Sequence, residues 1–112
     1  IGVDSDQEAT FSSELAAITL TSGLKNIGNS LIWVFDELDQ GNEHWGTEIS
    51  LGLVDGGVGL VTDKNYDANV SDEIKAVVEE AISEIQAGNI VVPTAIGPDA
   101  VDVPSIRDEV RP

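Results

Sequence analysis

Hydrophobic and polar positions change period several times along the chain, and each change marks an element. Ile1 to Val3 is a short apolar run that stops at Asp4-Ser5-Asp6-Gln7, whose side chains bond nearby backbone and favour a turn. The chain therefore opens as a strand followed by a polar loop. Glu8 to Glu14 is polar around one aromatic, Phe11, and has no assignable period. Ala16 to Thr21 alternates and is rich in β-branched residues, with Ile18 and Leu20 on one face and Thr19 and Thr21 on the other. That pattern predicts a second strand ending near Ser22-Gly23. From Asn26 the period lengthens. Ile27 or Gly28, Leu31, Ile32, Phe35 and Leu38 share one helical face, Asp36, Glu37 and Asp39 turn to water, and Gly41 is placed to end the helix.

Glu48 to Val54 alternates again, with Ile49, Leu51 and Leu53 opposing Ser50 and Gly52. Asp55-Gly56-Gly57 reads as a turn before apolar Val58 to Val61, so the segment is expected to be a bent strand or a hairpin. The clearest helix begins after Ser71, a favourable N-cap, with Asp72 and Glu73 in the first turn where the macrodipole favours negative charge. Ile74, Val77, Val78, Ala81, Ile82 and Ile85 form its apolar stripe and Gly88 sits at the C′ position. Ile90-Val91-Val92 predicts a last extended piece before Pro93. From Gly97, Pro98, Pro104 and Pro112 punctuate a polar stretch expected to be mostly irregular. Strands alternating with helices in this order predict an α/β fold with crossover connections and a mainly parallel sheet. Ligands of such sheets sit beyond the C-terminal strand ends, which directs attention to Asp4, Ser5, Asp6 and Ser22–Lys25.

Composition narrows the possibilities. A length of 112 residues allows one domain with a modest core, and with 41% hydrophobic but only 4% aromatic residues that core must be aliphatic. Twenty-one Asp and Glu against five Lys and Arg, a formal charge of -16, argue against nucleic acid and anionic lipid as partners. No cysteine is present, so disulfides, thiolate metal sites and thiol nucleophiles are excluded, and a lone histidine, His44, cannot build a multi-histidine metal site. The longest uncharged stretch, Ile85 to Pro98, is interrupted by Gly88, Pro93 and Gly97 and is too short to span a bilayer. The acidic residues fill the outward helix faces rather than one tail, a distribution expected of a protein from a salt-adapted organism. The chain begins inside a strand without an initiator methionine and is read as a portion of a longer protein whose targeting signal lies upstream.

Candidate chemistry concentrates at the strand ends. Asp4 and Asp6, one residue apart, could bind a cation or accept hydrogen bonds from ligand hydroxyls, or form a solvated turn; Phe11, Ser12 and Ser13 do not continue a calcium loop. Lys25 is the single basic residue in the first 63 positions and stands beside a strand terminus, where it pairs with Asp4, Asp6, a ligand or a surface acid. Gly56-Gly57-Val58-Gly59 lacks the Lys-Ser/Thr of a phosphate loop, His44 and Trp45 read as surface packing, and Asn69-Val70-Ser71 matches a glycosylation acceptor by composition alone. No nucleophile, base and orienting acid occur together, so no catalytic residue, cofactor or metal is assigned and an enzyme is not expected.

These residues carry a resemblance. Ile1-Gly2-Val3-Asp4-Ser5-Asp6-Gln7, Leu20-Thr21-Ser22-Gly23-Leu24-Lys25-Asn26, and Leu51-Gly52-Leu53 followed by Gly56-Gly57-Val58-Gly59-Leu60 together resemble the basic membrane protein family of ABC-transporter substrate-binding lipoproteins, several of which bind purine nucleosides. The Ser71 helix closing in Gly88-Asn89-Ile90-Val91-Val92-Pro93 resembles the family's C-terminal helix and final strand. The resemblance implies the C-terminal part of a two-lobed type I periplasmic-binding-protein fold over residues 1–94, with a hinge near Ser22–Gly28 and a tail over residues 95–112. It implies that Asp4 and Lys25 contact the ribose of a nucleoside in the interlobe cleft, that ABC permease subunits are partners, and that an upstream lipid anchor holds the protein at the cell surface. The family's base-stacking aromatics lie upstream of this segment, and Gly23 stands where relatives carry a bulkier apolar residue. A portion of such a fold is not expected to fold well alone. A sensory binding domain signalling to a membrane receptor, or a doubly wound α/β enzyme, are the alternative readings.

Overall fold

A computed structural model describes residues 1–97 and 100–111. The chain is a small mixed α/β structure. Strand β1 (Gly2–Asp4) lies parallel to β2 (Ser22–Lys25), and β2 lies antiparallel to β3 (Val58–Leu60), giving a three-stranded sheet in the order β1-β2-β3. The sheet is thus mixed rather than mainly parallel. The parallel pair requires a crossover, supplied by two short helices, α1 (Gln7–Thr10) and α2 (Ser13–Ala17). Helix α3 (Ile27–Asp39) leaves β2 directly, and α4 (Lys64–Asn69), α5 (Asp72–Gln86) and α6 (Val103–Val110) follow β3.

Helix boundaries follow local chemistry. Asp6 ends the first polar turn and caps α1 by accepting from Ala9 N at 3.3 Å. Ser71 Oγ accepts from Ile74 N at the start of α5, and Gly88 (φ 77°) follows its C-cap in the left-handed conformation only glycine takes freely. Gly41 (φ 83°) does the same after α3.

Several sequence expectations are corrected. Ala16–Thr21 is not a strand: α2 runs to Ala17 and pairing starts at Ser22. Of the two faces this stretch presents, the one carrying Thr19 and Thr21 is buried while Ile18 is exposed. The threonines tolerate burial because their hydroxyls are satisfied. Thr21 Oγ1 donates to Val61 O at 2.6 Å, and Thr19 Oγ1 donates to Leu15 O at 2.8 Å. Asn65, on the unforeseen α4, donates to the carbonyls of Ala16 and Thr19 and holds this stretch out of a ladder.

Glu48–Val54 likewise pairs with no strand. Asp55 carboxylate accepts from Gly52 N at 3.0 Å, and Gly57 N donates to Gly52 O at 2.9 Å, closing a compact loop instead of a hairpin. A side chain at Gly57 would meet Leu51 O at 2.6 Å, so the loop depends on the missing Cβ. Ile90–Val92 is exposed and unpaired in the sheet. The tail over residues 95–112 is not irregular throughout, since α6 forms with Asp102 as its N-cap and Pro104 in the first turn, where a missing N–H removes no helical bond. Pro98 and Pro112 lie outside the described residues.

Little apolar surface is buried. Among the described residues Val61 and Tyr66 are the buried hydrophobic ones, with Thr19, Thr21 and Ser22 buried as well. On α3 most of the predicted stripe is open to solvent, with Leu31, Ile32 and Phe35 each about 60% exposed or more, while Leu38 of that stripe turns with Trp33 and Val34 toward the 42–58 segment. A helix apolar on this many sides calls for cover on both. The radius of gyration is 17.1 Å, against about 13 Å for a closed chain of similar length.

Candidate functional site

Parallel pairing of β1 with β2 sets Asp4 opposite Leu24, one residue before Lys25. Both side chains therefore leave the same end of the sheet, and Lys25 Nζ meets Asp4 Oδ1 at 3.2 Å. Asp4 adopts φ 71°, a left-handed conformation that an aspartate tolerates better than most residues. Such a backbone at a strand end turns the chain sharply while leaving the carboxylate free to accept hydrogen bonds. Asp4 and Lys25 are 66% and 58% exposed, so both remain open to a ligand.

Asp6 goes elsewhere. It receives Lys64 Nζ at 2.7 Å and caps α1, and the Lys64 ammonium holds its carboxyl below the usual carboxylate range. Asp6 in return raises the Lys64 ammonium. The pair clamps α1 to the start of α4, where Lys64 itself is left-handed at φ 49°. Of the three residues singled out from sequence, the structure brings Asp4 and Lys25 together and gives Asp6 a tethering contact. Among the described residues no group of three or more His, Asp or Glu is arranged to hold a metal, and no helix is long and apolar enough to cross a membrane.

Beside Lys25 lies a cavity of about 470 Å³ between α3 and the 42–58 segment. Its position is set by the joint after β2. Asn26 N donates to Gly57 O at 2.8 Å, and the amides of Asn26 and Asn29 both donate to Gly56 O, tying the start of α3 to the glycine turn. Trp33, Val34 and Leu38 form one wall, and Trp45, Ile49, Leu51 and Val58 another. His44 bridges them: its ring stacks on Trp33 with centroids 5.2 Å apart, and its Nε2 lies 2.9 Å from Glu37 Oε2. Reading the sequence by itself assigned His44 and Trp45 to surface packing and left Trp33 unremarked. The signal that could have found the cavity was the placement of both tryptophans around the end of α3 in a chain so poor in aromatics.

Fold and geometry together define a small mixed α/β structure with a cation and a carboxylate at adjoining ends of two parallel strands. No protein-family model matches the chain, and no curated protein does.

Proposed function

We propose that the chain is part of the extracellular solute-binding component of an ABC importer and holds a nucleoside-like ligand without changing it chemically. The observation that carries this reading is the meeting of Asp4 and Lys25 at 3.2 Å, at the C-terminal ends of neighbouring parallel strands. That is where open α/β sheets take their ligands. In the proposed complex Asp4 accepts from ribose hydroxyls and Lys25 donates. Both bonds are charge-assisted and gain strength as a closing cleft sheds water.

The wider fold proposed is the type I periplasmic-binding-protein fold, with residues 1–94 supplying its C-terminal part. The thin core and the exposed stripes of α3 and α5 support it, since Ile74 and Val77 of α5 are also more than half exposed and would be covered by further protein. ABC permease subunits are the proposed partners, with a lipid anchor outside this segment holding the protein at the cell surface. The acidic surface favours a salt-rich setting.

Calorimetric titration of the intact protein with adenosine, guanosine and inosine tests the reading. Saturable heat with at least one purine nucleoside is expected. No heat with any of the three defeats it.

A further inference from the structure

Asn69-Val70-Ser71 is the single Asn-X-Ser/Thr triplet in the sequence, and its central residue is not proline. The fold sets it on the joint between α4 and α5. Asn69 is the last residue of α4, Val70 (φ -95°, ψ 131°) and Ser71 (φ -66°, ψ 152°) are extended, and α5 starts at Asp72. Val70 is half-buried and its N–H donates to Tyr66 O at 2.9 Å, which pins the joint while Asn69 and Ser71 stay exposed. Asp67 and Asp72 flank the triplet, both exposed and charged, so this joint lacks the apolar stripe that on α3 calls for covering protein.

A side-chain amide carries two N–H groups, and the asparagines differ in what theirs have left to give. Asn65 directs its amide to two carbonyls, Ala16 O at 2.8 Å and Thr19 O at 3.0 Å. Among the described residues Asn69 donates to one, Asn65 O of its own helix, at 2.8 Å. Its second N–H is therefore left to solvent, and a sugar in place of that hydrogen keeps the existing bond. Ser71 is similarly placed. Its Oγ accepts from Ile74 N at 3.4 Å, and no donation from its O–H is made to the described residues.

We infer that Asn69 is an N-glycosylation site, modified by a glycan from a lipid-phosphate-linked donor. The inference rests on the proposed extracellular location, because this acceptor pattern has meaning only on an exported chain. In the transfer the Asn69 amide nitrogen attacks the anomeric carbon of the donor glycan. The bond from that carbon to the phosphate oxygen breaks, the lipid phosphate leaves with the electron pair, and the displaced amide proton passes to a base of the transferase. The Ser71 hydroxyl is the group by which the transferase recognises the acceptor.

Mass spectrometry of the intact protein isolated from the cells that naturally make it provides the test. Trypsin cuts after Lys64 and Lys75, so one peptide, 65–75, carries both Asn65 and Asn69. This peptide is expected to be heavier by a glycan, with fragmentation placing the added mass on Asn69. Asn69→Gln and Ser71→Ala, made in the same cells, are expected to lose the added mass, and Ser71→Thr, which keeps both hydroxyl and cap, to retain it. The measurement on the unaltered protein stands whether or not a variant folds. An unmodified peptide from protein recovered at the cell surface overturns the site and keeps the proposed function, as does added mass that sits on Asn65 or persists in Asn69→Gln. Protein found solely inside the cell, with the peptide unmodified, overturns both.

Discussion

Replacing Asp4 separates backbone from charge at the candidate site. Its φ of 71° is left-handed, a conformation that costs an ordinary L-residue roughly 1–2 kcal/mol and glycine nothing. Glycine gives back roughly 0.5–1 kcal/mol through the extra freedom of its unfolded chain. Asp4→Gly should therefore be more stable than Asp4→Ala by about 1 kcal/mol, with Asp4→Asn between them because asparagine tolerates this region. At a urea slope of about 2 kcal/mol/M that difference moves the unfolding midpoint by about 0.5 M. The ion pair contributes little to the comparison, since Asp4 and Lys25 are 66% and 58% exposed and solvent screens them. Ligand affinity should follow a different order. All three variants remove the anionic acceptor, and losing one charge-assisted hydrogen bond of about 1.5–3 kcal/mol weakens nucleoside binding by about 10- to 150-fold in each. Urea unfolding followed by circular dichroism gives the first ordering and calorimetry the second. Equal stability of the Ala and Gly variants would refute the left-handed turn, and unchanged affinity in all three would remove the carboxylate from the site.

Thr21→Val leaves Val61 O without its buried donor and should cost about 1–3 kcal/mol, whereas Thr21→Ser keeps the bond and should cost about 0.8 kcal/mol for one lost methyl; urea midpoints that reverse this order would show packing to dominate. Asp6→Asn retains the cap on α1 but loses the attraction to Lys64. Because the Asp6 carboxyl is held below its ordinary range, the stability it adds is present at neutral pH and disappears as pH falls through and below that range. Lys64, held above its ordinary range, loses its share only as pH rises through strongly alkaline values. The difference in urea midpoint between wild type and Asp6→Asn should then be greatest near neutrality and vanish in acid; a difference that persists in acid refutes the pairing. Raising KCl from low to molar concentration should raise the melting temperature of the chain by screening its -16 charge, and an unchanged melt by circular dichroism would count against a salt-adapted surface.

Local chemistry was legible before any coordinates. The left-handed glycines Gly41 and Gly88, the Ser71 cap and the long apolar periods placed α3 and α5 to within a residue or two, because capping and helical spacing involve only neighbours in the chain. Asp4 was one of several partners the sequence offered for Lys25, and the register of β1 against β2 at Ser22–Lys25 selected it. Two residues that end successive parallel strands meet by register, whatever lies between them.

Period-two patterns were less informative, because alternation says that a segment has two faces and not which face is covered or whether an edge is free to pair. Thr19 and Thr21 are inside because Leu15 and Val61 offer carbonyls to their hydroxyls, a fact that depends on residues as far as 40 positions away. Alternation over Glu48–Val54 met no free strand edge and closed on Asp55 instead.

Sequence alone thus determined the charge, the exclusion of thiol chemistry, the two long helices and the first strand ending at Asp4. Tertiary structure decided which segments pair, which face of α3 meets the 42–58 segment, that Asp6 belongs to Lys64, and that Trp33, His44 and Trp45 line one cavity. The division has one physical cause. Caps, turns and helical periods are settled by contacts a few residues apart, whereas burial and enclosure arise only when distant segments remove the same surface from water.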